Sequence, residues 1–154
     1  MFDDFECLLV TETPPRWKHS RDPAETPVDA TRLASLWIQE EQFRQAHPHY
    51  ECPDDWEWDT PQDALSSLTY SDPEMAWRVI KELAATAPEE VLPIVGIGPL
   101  ETFLFRHAET FIDQIEGQAA HDPKFRFCLY EARPAFGGPM LFRLARAIGL
   151  DLPQ

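Results

Sequence analysis

The sequence predicts an all-α protein, either a compact bundle or a short helical-repeat-like stack of about six to seven helices. Three observations predict it. Capping residues followed directly by proline recur along the chain. Apolar residues then return at spacings of three and four. Alternating strand patterns are scarce; Cys7-Leu8-Leu9-Val10 fits a short strand or a helical turn equally well.

Proline suits the first helical turn because its missing N–H would have no intrahelical partner there and its φ is already helical. Thr26-Pro27-Val28-Asp29 opens the first predicted helix, with Asp29 able to return a hydrogen bond to the threonine. Its apolar face is Ala30, Leu33, Leu36-Trp37 and Phe43, ending near His47-Pro48. Thr60-Pro61-Gln62-Asp63 repeats the device. Asp72-Pro73 and Asp122-Pro123 set an anionic cap at the positive end of a helix dipole.

After Pro73 the inward face is Ala76-Trp77, Ile80, Leu83-Ala84 and Ala87, stopped by Pro88. Between Pro88 and Gly98 a short helix fits, but Pro93 must distort it or set a second helix's first turn. Gly98-Pro99 is expected to start the next helix after a tight Gly96-Ile97-Gly98-Pro99 turn, with Leu100, Phe103-Leu104, Ala108, Phe111-Ile112 and Ile115 inward. Gly138-Pro139 starts the last, Met140 to Ile148, with Gly149 as a left-handed C-cap. The least regular parts are expected at residues 1–25 and 134–138, within one domain spanning 1–154.

Composition bounds the function. Formal net charge is −14, and it is uneven: −9 over residues 1–60, −7 over 61–120 and +2 over 121–154. Such a field repels nucleic acid and anionic lipid and favours cationic partners, so direct nucleic-acid or membrane binding is not expected. No stretch reaches the length of a membrane span, and Met1-Phe2-Asp3-Asp4 lacks a basic leader region, which points to the cytoplasm. Cys7, Cys52 and Cys128 are odd in number and widely spaced, the usage of a reducing compartment, and Cys7 and Cys128 read as small core residues.

From about residue 33 to 133 the chain resembles an uncharacterised family of small bacterial proteins, a domain of unknown function. Trp37, the run Asp72 to Ile80, Gly98-Pro99-Leu100-Glu101, His107, Phe111 to Glu116, Ala119 and Asp122 to Arg126 carry the likeness. It implies a helical fold and a bacterial or phage origin, and it brings no established activity.

Function therefore rests on individual residues. His47-Pro48-His49-Tyr50-Glu51-Cys52 is the best metal candidate, since imidazole and thiolate both suit zinc. Its spacing matches no common zinc site, and no cofactor is expected. Gly96 to Pro99 lacks the third glycine and preceding strand of a dinucleotide cradle. His107 has no carboxylate three or four residues away in its helix, which weakens a general-base role, and Glu109, Asp113 and Glu116 read as a solvated acidic face. No G-x-S-x-G, H-E-x-x-H or P-loop is present, so nothing nominates an enzyme.

The segment that stands out is residues 51–59, with five acids and two tryptophans in nine positions. Trp56 and Trp58 offer desolvated contact area, while Asp54, Asp55, Glu57 and Asp59 select a basic partner. Their competing fate is to fold back onto the core beside Trp37 or Trp77. The expectation is a protein-binding module that inhibits or neutralises a basic partner, as an immunity or antitoxin-like protein or an anti-defence inhibitor does. The alternatives are a metal-binding enzyme or sensor using His47, His49 and Cys52, a nucleic-acid mimic, or an oligomeric scaffold.

Overall fold

The computed structural model of the protein describes residues 29–49 and 60–153. Seven α-helices follow one another there: α1 Ala30–Ala46, α2 Pro61–Ser71, α3 Pro73–Thr86, α4 Leu92–Val95, α5 Glu101–His121, α6 Pro123–Glu131 and α7 Leu141–Ala147. A π-helical turn, Gly96–Leu100, joins α4 to α5, and two 3-10 turns, Arg133–Ala135 and Gly138–Met140, precede α7. The all-α expectation holds: no strand occurs among the described residues. None of these helices is long and apolar enough to cross a membrane.

Three of the predicted starts form as read. Thr60 and Asp63 complete a reciprocal capping box on α2, and Asp72 and Asp122 accept backbone N–H groups at the starts of α3 and α6. The first start shifts. Asp29 itself is the N-cap of α1, accepting from the N–H groups of Thr31 and Arg32; Thr26 and Pro27 lie outside the described residues. An aspartate carboxylate competes well for this position, so the returning partner of the expected box becomes the cap.

Gly98-Pro99 is a second correction. It starts no helix and makes no tight turn; Pro99 sits inside the π turn, and the chain stays helical from Leu92 to His121. Pro99 has no N–H to offer the Val95 carbonyl four residues back. The ladder slips by one residue there, and the Glu101 N–H reaches Gly96 O. Pro93 takes the first turn of α4, the second of the two roles open to it.

α3 is the central helix. Ala76, Trp77, Ile80, Leu83, Ala84 and Ala87 are all buried as predicted, joined by Val79. Trp77 packs its ring against Phe103 (5.7 Å, stacked), Phe111 (6.1 Å) and Phe125 (5.5 Å, edge-on). Burying each such side chain contributes roughly 1.5–3 kcal/mol, and favourable ring geometry adds to that. α1 lies across α3 and α2, while α6 and α7 pack on α5.

The π turn presses against α6. A Cβ on Gly96 would lie 2.5 Å from the Cys128 carbonyl oxygen and 2.7 Å from Glu131 Cβ, so only glycine fits. Gly149 has φ +84° and closes α7, its N–H bonding Arg146 O while the Leu150 N–H bonds Ala145 O.

Candidate interaction surface

Pro73 also leaves an acceptor without its usual donor. The Thr69 carbonyl in the last turn of α2 would normally receive the N–H of residue 73, and proline has none. His107 of α5 supplies the donor instead: its Nε2 lies 2.7 Å from Thr69 O, which makes Nε2 the protonated nitrogen. The ring sits between Phe103 and Phe111. His107 thus closes the end of α2, a role that accounts for it without catalysis.

Glu40 does similar work at the opposite end of α2. Its side chain is buried, with Oε1 accepting the Gln62 N–H at 3.0 Å and Oε2 taking Arg44 Nε at 3.0 Å and Nη2 at 2.8 Å. One carboxylate therefore serves a helix N-terminus and a guanidinium together, where a negative charge is favoured. Its spacing of four from Arg44 was readable in the sequence, whereas its contact with α2 was not.

The expected acidic face on α5 is only partly solvated. Arg143 of α7 reaches both Asp113 (2.7 Å) and Glu116, pinning the last helix to α5. Hydrogen bonds that it donates to Glu116 and then to Asp113 raise the guanidinium above its already high ordinary value. Of the sixteen acids in the described residues, eight act as helix caps or hold a hydrogen-bonded side chain or N–H. Four of them, Asp29, Asp63, Asp72 and Asp122, sit at helix N-termini, and the other four, Glu40, Glu41, Asp113 and Glu116, bond from within their helices to neighbouring elements.

Two of the three metal candidates, His47 and His49, lie at the end of α1. His47 stacks on Phe43 (4.3 Å between centroids) and directs Nδ1 to the Phe43 carbonyl at 3.0 Å, as a helix C-terminal cap. His49 is exposed, and Cys52 lies outside the described residues. Among the described residues no three histidine, cysteine or carboxylate groups gather. Cys128 is fully buried, its Sγ 3.6 Å from Leu92 O. Burial, and then the charge of Asp122, pushes its thiol up to about 12, which leaves it inert as a nucleophile. Asp54, Asp55, Trp56, Glu57, Trp58 and Asp59 all lie outside the described residues.

Clefts open among the described residues. A cavity of about 200 Å³ runs between Trp37, α2 and the π turn, with Gln62, Ser66, Thr69 and Thr102 among its lining residues. A larger one, about 390 Å³, lies between α5 and the Pro134–Met140 connection, lined by Leu104, Phe105, Phe136 and Met140 with Arg106 and Glu109 at its polar side. On its wall Phe105 is 66% accessible, and next to the wall residue Arg106 the Tyr70 ring of α2 is 58% accessible. The Arg106 guanidinium stacks 3.8 Å over the Tyr70 ring, so both side chains are held in place. Tyr, Phe and Arg around an apolar hollow are the residues that anchor protein interfaces. The sequence reading passed over this surface. Phe105 falls just outside the inward periodicity of α5, and that misfit was the available signal.

No curated protein and no solved structure matches the chain. A family model described as a family of unknown function, DUF6869, matches residues 46–131, from the last residue of α1 through α6. That span holds the capped α2–α3 pair, the π turn and the glycine contact, and covers more than half of the sequence; the chain belongs to this family of unknown function.

Proposed function

We propose that the chain is a protein-binding module that inhibits or neutralises a basic partner protein by covering its working surface. The observation that carries the reading is the exposed Phe105–Arg106–Tyr70 surface beside the apolar cleft. Aromatic area this accessible costs solubility unless a partner covers it, and Tyr70 and Arg106 are already ordered by stacking on each other. The cleft accepts an apolar side chain, and Glu109 on its wall meets an accompanying cation.

Charge supports the choice of a basic partner. Residues 51–59 carry five acids and no base, and residues 1–28 carry six acids and three bases. More than half of the net −14 thus resides in these two segments. Such charge speeds encounter with a cationic protein and rejects an anionic one. Trp56 and Trp58 would add contact area, and Asp54, Asp55, Glu57 and Asp59 would pair with lysine or arginine.

The test compares wild type, Phe105→Ala and a variant with Asp54, Asp55, Glu57 and Asp59 all changed to lysine as bait for basic proteins of the native extract. A basic protein held by wild type and lost by both variants supports the reading. Retention by both variants removes it.

A further inference from the structure

The outer side of α6 carries the opposite chemistry. Phe125, Cys128 and Leu129 are fully buried, which fixes the orientation of the helix. At 100° per residue, Arg126, Tyr130 and Phe127 then lie side by side on the outer face, with Lys124 at one edge, while Arg133, in the turn after the helix, reaches back to Tyr130. Phe127 and Tyr130 are each 41% accessible. The Arg133 guanidinium lies 3.6 Å over the Tyr130 ring, and its Nε donates to the Tyr130 carbonyl at 2.8 Å. That arginine is pre-folded, which lowers the entropy lost when its remaining N–H groups take a carboxylate.

Neither Arg126, Arg133 nor Lys124 forms an ion pair with the described residues, although acids outnumber bases there by sixteen to ten. Lys124 Nζ lies 3.5 Å from the Ala85 carbonyl. Of the two acids of this helix region, Asp122 caps the helix, and half-buried Glu131 lies at the Lys124 edge of the face with its Cβ against Gly96.

We propose that this face of α6 is a docking site for an acidic peptide segment of a partner protein, its carboxylates on Arg126 and Arg133 and an apolar side chain across Phe127 and Tyr130. Aromatic rings beside arginines can also stack nucleic-acid bases. Net charge decides between them, because repulsion by a −14 molecule grows with ligand charge and a strand carries one charge per nucleotide. A peptide with two or three carboxylates escapes most of that repulsion. The proposal is independent of the basic-partner reading, since it uses a different helix and the opposite charge.

The experiment is fluorescence anisotropy on the full chain at physiological salt. The probes are a labelled short peptide of glutamates and leucines, its glutamine analogue and a single-stranded oligo-uridine. The expected result is saturable binding of the glutamate peptide alone. It weakens about tenfold or more in Arg126→Glu with Arg133→Glu, and separately in Phe127→Ala with Tyr130→Ala. All four side chains are exposed, so both variants keep the wild-type helical melt. Equal binding of the glutamine analogue, no binding of the glutamate peptide, or insensitivity to both variants overturns the proposal. Preferential binding of oligo-uridine replaces it with a strand-binding face.

Discussion

Replacing Gly96 and Gly98 in turn by alanine asks the same chemical question at two sites in one helical turn, and the two answers should differ. At Gly96 the new methyl would lie 2.5 Å from the Cys128 carbonyl oxygen and 2.7 Å from Glu131 Cβ. Carbon atoms prefer about 3.5–4.0 Å, so the π turn and α6 must part by about 1 Å. The obstruction is largely backbone, which cannot swing aside, and overpacking of this kind costs about 1–3 kcal/mol. The gain in helix propensity from glycine to alanine offsets at most about 1 kcal/mol. At Gly98 nothing lies within 4 Å of the added methyl. The propensity gain there is opposed by the crowding that a residue before proline meets in helical conformation, leaving a change within about 0.5 kcal/mol of zero. Urea unfolding followed by tryptophan fluorescence should put Gly96→Ala about 0.5–1 M below wild type in midpoint at unchanged slope, with Gly98→Ala close to wild type. Equal midpoints for Gly96→Ala and wild type would refute the close approach of π turn and α6.

Other substitutions read other parts of the account. His107→Phe keeps the ring between Phe103 and Phe111 but orphans the Thr69 carbonyl, and should lower unfolding free energy by about 1–3 kcal/mol. An unchanged urea midpoint would mean that water replaces the donor. Glu40→Ala removes the acceptor of the Gln62 N–H together with a partner of Arg44, with a loss of similar size, about 1–3 kcal/mol, read in the same assay. The raised Cys128 pKa has a definite sign: above about pH 9 the unfolded chain sheds this proton while the folded chain keeps it to about 12. Stability should therefore fall with pH across that window by up to about 1.4 kcal/mol per unit, a slope that Cys128→Ala removes. Phe105→Ala should leave the melt unchanged, because the side chain is 66% accessible, and should act only on binding.

Local rules were legible, and contacts between distant residues were not. Thr60-Pro61-Gln62-Asp63, Asp72-Pro73 and Asp122-Pro123 announce their helices because cap and first turn are adjacent in sequence. The inward face of α3 was readable because one continuous stripe meets the core. Pro99 misled for a physical reason: a proline that usually opens a helix is here absorbed by a ladder that slips one residue. The need for glycine at 96 depends on α6 crossing it some thirty residues later in the chain, which no local pattern carries. An orphan carbonyl at Thr69 follows from Pro73 four residues on, but nothing in the sequence names His107 as its donor. Arg143 likewise turns two acids of an apparent solvated face into a clasp from a distant helix. The surface around Phe105 was visible only as a misfit, an aromatic just outside an inward stripe.

Affinity capture from native extract at low and at physiological salt, with eluates identified by mass spectrometry, tests the central claim most directly. The account predicts one basic protein retained at both salts by wild type and released by the Phe105→Ala bait. A diffuse set of basic proteins that washes off as salt rises, indifferent to Phe105, would contradict it and reduce the acidic charge to non-specific attraction.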